Sequence, residues 1–113
     1  MKFASMFLLT CAVLFGGGAL QAQEPFYRGK TINVAVGFTS GGFYDRWSRL
    51  LARYVPKYLP GKPEMIVQNM PGAGGLIAAN HVYGVAKGDG LTIGMTSYGM
   101  YLDQLVGRPE AKY

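Results

Sequence analysis

Hydrophobic and polar positions follow two alternating patterns along most of the chain. Three short runs are apolar and rich in β-branched residues, which is typical of strands covered on both faces. These runs lie at residues 31–38, 64–70 and 91–96. Each run is followed by a segment that predicts a helix. These helical segments lie at residues 43–55, 76–85 and about 100–106. The repeated strand–helix order predicts an α/β fold with a parallel sheet, flanking helices and right-handed crossovers.

The first predicted helix has a strongly two-sided pattern. Its large apolar residues recur at spacings of three and four and predict one buried stripe. The stripe consists of Phe43, Trp47, Leu50, Leu51, Tyr54 and Val55. The basic residues between them predict a solvated face, with a face that docks onto a transporter as the alternative. These are Arg46, Arg49, Arg53 and Lys57. Pro56 is expected to stop the helix, because proline removes a backbone N–H and crowds the preceding turn.

Residues 1–22 have the pattern of a cleaved signal peptide. Lys2 provides a positive start, an apolar run covers residues 3–15, and Ala22 is the expected last residue removed. The alternatives are an uncleaved membrane anchor, for which the run is shorter than the roughly 20 residues needed, and a lipoprotein modified at Cys11. Cleavage predicts a periplasmic protein whose mature part has no cysteine, which excludes disulfides and thiol catalysis.

Length and charge limit the function classes. The 113 residues suffice for one domain at most, and the net charge is +5. A basic surface attracts anions, but no nucleic-acid motif is present, so no nucleic-acid partner is expected. His81 is the only histidine, and it is interpreted as structural. We therefore expect no metal, no cofactor and no catalytic residues.

Three loops of small residues follow the predicted strands and carry the candidate chemistry. They cover residues 39–42 with Asp45, residues 72–75, and residues 97–99. The carboxyl ends of parallel strands meet at one edge, and helix N-termini there offer free N–H groups to an anion. The loops therefore predict a site for an anion, and the alternative is that their glycines simply make tight turns.

The polar residues of the first loop have two interpretations each. Asp45, in the first helical turn, either balances the helix dipole or accepts a hydrogen bond from a ligand hydroxyl, amine or protonated group. Thr39 and Ser40 either donate to a carboxylate or cap the helix.

Several motifs in order resemble those of a known receptor family. They are residues 26–32, 36–38, Gly41-Gly42, Tyr44-Asp45, 49–53, 67–74, 78–80 and 89–94. Together they are similar to the substrate-binding receptors of tripartite tricarboxylate transporters, also called Bug receptors. The chain departs from the family at Ser40, where proline is common, and at Phe43, where a small residue is common. These departures leave the identity of the substrate open.

The resemblance implies a type II periplasmic binding protein, a two-lobed receptor that captures a small carboxylate and delivers it to a membrane permease. It implies a monomer that is not an enzyme. Carried over, the ligand-binding residues are those of the three loops. They are Phe38, Thr39, Ser40, Gly41, Gly42, Asp45, Gly72, Ala73, Gly74, Gly75, Ser97 and Tyr98.

Length predicts that residues 23–113 form only the N-terminal part of the first lobe. Two lobes need roughly 300 residues at ~100–200 residues per domain, so we expect a fragment without the second lobe. Such a fragment is expected to be poorly stable and to bind weakly, because missing strands leave an exposed edge. The alternatives are a ligand-presenting sensory protein of a two-component system, a non-functional remnant, and a secreted enzyme on the same scaffold.

Overall fold

The computed structural model describes residues 23–113. The predicted signal peptide at residues 1–22, including Cys11, lies outside the described residues. Within residues 23–113, every helix is too short or too polar to cross a bilayer.

The described part of the chain contains one parallel sheet of three strands. They are β1 (Thr31–Val36), β2 (Glu64–Asn69) and β3 (Thr92–Met95). The strand order is β2-β1-β3, so β1 is the central strand. In register, Val34 of β1 lies opposite Val67 and Ile93. The predicted parallel sheet is confirmed, with each strand ending one or two residues earlier than its apolar run.

Three helices alternate with the strands as predicted. They are α1 (Phe43–Tyr54), α2 (Leu76–Gly84) and α3 (Met100–Leu105). Short 3-10 turns follow α1 at Val55–Lys57 and precede α2 at Ala73–Gly75. The turn after α1 contains Pro56, which ends that helix as expected. The α/β class is therefore confirmed, while nothing in residues 23–113 tests the assignment to a binding-protein type.

The two crossovers place α1 and α2 on opposite faces of the sheet. The chain moves from β1 to β2 in one direction and from β2 to β3 in the other, and right-handed connections then require opposite faces. Asn69, at the end of β2, bonds to Asp45 of α1. On the other face, Gly94 of β3 lies against Val82 of α2. Both faces of β1 are therefore covered, which explains its nearly continuous apolar sequence.

The core is small and centred on β1. Ile32, Val34 and Val36 are buried on the face that carries α1, because residues two apart in a strand share a face. Ala35 points to the α2 face, where Leu76 and Ala78 are buried. The core is therefore made mostly of β-branched and small side chains, and few large apolar residues contribute to it.

The predicted burial of α1 is wrong. Most of its large apolar residues are exposed to solvent, and Val55 is half-buried. The exposed residues are Phe43, Trp47, Leu50, Leu51 and Tyr54. The side of α1 that faces the sheet carries Asp45 and Ser48, both buried, together with Ala52.

The rotation of α1 follows from local hydrogen bonds and from side-chain size. The Ser48 hydroxyl donates to the Tyr44 carbonyl at 2.8 Å, so it needs no hydrogen-bond partner in the sheet. Asp45 bonds to the end of β2. Small residues on this side let the helix approach the sheet closely, and the apolar stripe consequently faces outward. The solvated basic face is confirmed for Arg46, Arg53 and Lys57, while Arg49 turns back toward Asp45.

Candidate functional site

The three predicted loops meet around Gly75. A methyl group added at Gly75 would lie 3.6 Å from the backbone nitrogen of Ser97 and 3.8 Å from the ring of Phe38. Gly75 of the second loop therefore lies close to both the first and the third loops. The parallel strand order predicts this convergence at the carboxyl edge of the sheet.

The first and second loops are in backbone contact. A methyl group added at Gly37, directly after β1, would lie 2.8 Å from the Cα atom of Gly75. Gly72 and Gly75 have φ angles of +140° and +100°, which side chains rarely allow. The Gly75 N–H donates to the Gly72 carbonyl at 2.9 Å and closes the turn. The glycines of this loop are thus needed for close approach, and Ala73 and Gly74 are exposed within it.

Asp45 is buried beneath the first loop and accepts hydrogen bonds from three groups. The Gly41 N–H donates to Oδ2 at 2.8 Å. The Arg49 Nε donates to both carboxylate oxygens at 3.0 and 3.1 Å. The Asn69 Nδ2 donates to Oδ1 at 2.9 Å. The carboxylate therefore joins the loop, the next turn of α1 and the end of β2.

Asn69 and Arg49 complete a closed network with Asp45. The Arg49 Nη2 donates to Asn69 Oδ1 at 3.2 Å, and Asn69 Nδ2 also donates to the Phe38 carbonyl at 3.0 Å. Hydrogen bonds from Arg49, Gly41 and Asn69 hold the pKa of the Asp45 carboxyl well below its usual range, although burial opposes them. The same pair raises the pKa of Arg49. Asp45 is therefore ionised at neutral pH.

The other polar residues of the first loop point to solvent. Thr39 and Ser40 are exposed, and among the described residues their side chains make no hydrogen bond. Phe38 is half-buried and stacks on Tyr44, with ring centroids 4.2 Å apart and planes at 10°. Phe43 lies at the loop edge and is 68% exposed. The hydroxyls of Thr39 and Ser40 are thus available to an external partner, and the stacked rings of Phe38 and Tyr44 lie next to them in the chain.

The third loop has local hydrogen bonds, one of which involves a side chain. Ser97 Oγ accepts the Gly99 N–H at 3.2 Å. Tyr98 is 88% exposed. No side chain of another element in residues 23–113 bonds to this loop, so it is held far less firmly than the first.

Two helices begin at this edge without a side-chain cap. Helix α1 begins after Gly42 and helix α2 after Gly75. The first-turn N–H groups of α1 therefore have no side-chain partner, and a carboxylate is well suited to such donors. At α2 the Leu76 N–H already donates to the Ala73 carbonyl in the preceding 3-10 turn. The first and second loops together can thus bind an anion.

Other chemistry has little support in residues 23–113. This part of the chain holds no cluster of three histidine, cysteine, aspartate or glutamate residues that could bind a metal. His81 is half-buried in α2. One open groove, of about 430 Å³, lies on the outward side of α1 beside Trp47. A second, of about 460 Å³, lies between α2, β3 and α3 beside Tyr83. Neither groove is lined by residues of the first or second loop.

The sequence reasoning missed two members of the network. It placed Arg49 on the solvated face and gave Asn69 no role. The spacing of Asp45 and Arg49, four residues apart on a helix, does indicate an ion pair. The role of Asn69 was harder to predict from the sequence. Its contact with Asp45 depends on the pairing of β2 with β1, which places Asn69 in register with Val36.

Comparison with known proteins gives one informative similarity. The chain is 35% identical over 92 residues to a protein of Cupriavidus necator described as "UPF0065 protein in gbd 5'region". The matched region is 81% of this chain and 27% of the relative, so the chain spans about a quarter of the relative's length. No family model matches the sequence, and no solved structure matches it.

Proposed function

We infer that this chain belongs to the UPF0065 family, which is the family of the Bug receptors. From that premise we propose that it is part of an extracytoplasmic receptor that binds a small carboxylate for a tripartite tricarboxylate-type transporter. The proposed partners are the carboxylate and the membrane permease, and the proposed receptor is a monomeric binding protein that is not an enzyme.

The observation that carries the proposal is the meeting of the loops at Gly75 beside two helix N-termini that have no side-chain cap. A carboxylate needs several converging donors, and N–H groups at helix N-termini provide them without moving. Thr39 and Ser40 add two exposed hydroxyls at the same edge. The parallel sheet supports the proposal, because ligands of such folds bind outside the carboxyl ends of the strands.

Electrostatics also favours an anionic ligand. The chain has a formal net charge of +5, and Asp45, which lies beneath the first loop, is already paired with Arg49. The edge therefore presents uncompensated donors and the positive ends of helix dipoles, each typically worth about 0.3–1 kcal/mol to an exposed anion.

Thermal unfolding of the intact protein with a panel of di- and tricarboxylates tests the proposal. A bound acid at 100 times its dissociation constant should stabilise the protein by about 2.7 kcal/mol and raise its melting temperature. Succinamide, the neutral diamide of succinate, is the matched control compound and should give no shift. A protein that melts cooperatively and responds to none of the acids would contradict the proposal.

A double variant assigns the effect to the first loop. Thr39→Val with Ser40→Ala removes both exposed hydroxyls and should reduce the shift caused by the acid. Thr92→Val is the matched control, because Thr92 begins β3 at the opposite end of the sheet. Equal shifts in the wild type and the double variant would exclude these hydroxyls as ligand contacts.

A further inference from the structure

The network of Asp45, Arg49 and Asn69 binds both ends of the first loop. Asp45 accepts from the N–H of Gly41, and Asn69 donates to the carbonyl of Phe38. These two atoms flank Thr39 and Ser40. Side chains from α1 and β2 therefore fix the conformation of the loop.

The Asp45 carboxylate has little capacity left for a ligand. It is 2% exposed, and its two oxygens already accept four contacts from three donor groups. In the part of the chain described, no buried side-chain nitrogen or oxygen is left without a partner. A ligand hydroxyl or amine would have to displace an existing donor to reach Asp45.

Asn69 also connects the network to the second loop. It is the last residue of β2, and the Met70 N–H beside it donates to the Val36 carbonyl at 2.7 Å. The second loop begins two residues later and returns to touch the first at Gly37 and Gly75. The distance between the first and second loops is therefore fixed at two places, beside Asn69 and at Gly75.

We propose that Asp45 is a positioning residue, which holds the first loop in a binding-ready conformation through Asn69 and Arg49 and does not itself contact the ligand. The role in binding rests on the function proposed above, whereas the structural role does not. Pre-organisation of this kind raises affinity, because the cost of ordering the loop is met before the ligand arrives.

Amide hydrogen exchange measured by NMR tests the structural role without any ligand. In Asp45→Asn the amide group cannot accept from all three donors, so the Gly41 N–H should exchange at least about tenfold faster, the change expected for one charge-assisted hydrogen bond. The amides of Val34 and Ala35 in the core of β1 should keep their rates. The matched control is Asp103→Asn, which removes a carboxylate of α3 that pairs with Arg108. It should leave the exchange rate of the Gly41 N–H unchanged.

A second variant keeps the test decisive if Asp45→Asn does not fold. Asn69→Ala leaves the contacts of Asp45 with Gly41 and Arg49 in place but removes the donor to the Phe38 carbonyl. The amide nitrogen signal of Thr39, which follows that carbonyl, should shift, while the Gly41 N–H stays protected. Unchanged Gly41 exchange in Asp45→Asn, equal acceleration throughout β1, or no Thr39 shift in Asn69→Ala would overturn the proposal.

Succinate and malate separate positioning from direct contact. Malate is succinate with one hydroxyl added, so a direct acceptor at Asp45 would make Asp45→Asn weaken malate more than succinate. Positioning predicts that the affinities for both acids fall by the same factor, about tenfold. If neither acid binds the wild type, these two acids are excluded as ligands of the proposed receptor, and the exchange measurements still decide the structural role.

Discussion

The first and third loops look alike in sequence but are held very differently in the folded chain. Both follow the end of a strand and contain serine and glycine. The first is fixed by side chains of Asp45 and Asn69 at two backbone atoms. The third has one side-chain hydrogen bond, between Ser97 and Gly99, in addition to backbone bonds that lead into α3. Two loops of similar composition can therefore differ greatly in rigidity, because rigidity comes from distant residues.

This difference suggests a division of roles within the site. A loop braced at both ends can present donors at fixed positions, which favours tight and selective binding. A loop without such support from other elements can adapt, and its Tyr98 side chain is exposed to solvent. If the proposed carboxylate site is correct, we therefore expect the first loop to set its geometry.

The largest expected loss of stability comes from a substitution that pushes the first and second loops apart. Gly37→Ala places a methyl group 2.8 Å from the Gly75 Cα and 3.3 Å from its carbonyl oxygen, both of which are backbone atoms. The strain should lower the free energy of unfolding by about 1–3 kcal/mol in urea titrations. Gly84→Ala, where a methyl group meets open space at the end of α2, is the control and should be neutral or slightly stabilising. Equal stability of the two variants would mean that the loops can move apart freely.

An intermediate loss of stability is expected when the pH is lowered. Because the pKa of Asp45 is lowered by folding, the stability it contributes is complete above the unfolded value of about 3.9 and is lost as pH falls below it. Urea titrations of the wild type from pH 6 to pH 2.5 should show this loss. Asp45→Asn should lack that component of the acid response, whereas Asp103→Asn should retain it. A wild type whose stability is constant over this range would show that the network contributes nothing.

The smallest expected effect concerns the third loop. Ser97→Ala removes its one side-chain hydrogen bond and should lower the free energy of unfolding by about 0.5–1 kcal/mol, since a typical internal hydrogen bond contributes little net. The same urea titration measures it. A loss greater than that of Gly37→Ala would reverse the comparison and identify the third loop as the firmly held one.

Much of the fold could be read from the pattern of residues. The three strands and three helices begin within a residue of their predicted positions, because β-branched runs and glycine or proline breaks act locally. The predicted meeting of the loops also follows from order alone, since parallel strands place their carboxyl ends at one edge. These features depend on near neighbours and on general rules of chain connection.

The sequence by itself determined the order of elements, the parallel sheet and the positions of the three loops. Only the tertiary structure decided which side of α1 faces the sheet and which loop is braced. Periodicity marks Trp47 and Leu50 as apolar but cannot tell whether the sheet covers them, and here Asp45 and Ser48 are buried in their place. The reason is that Asp45 bonds to Asn69, 24 residues away, and a contact between distant residues leaves no periodic signal in the chain.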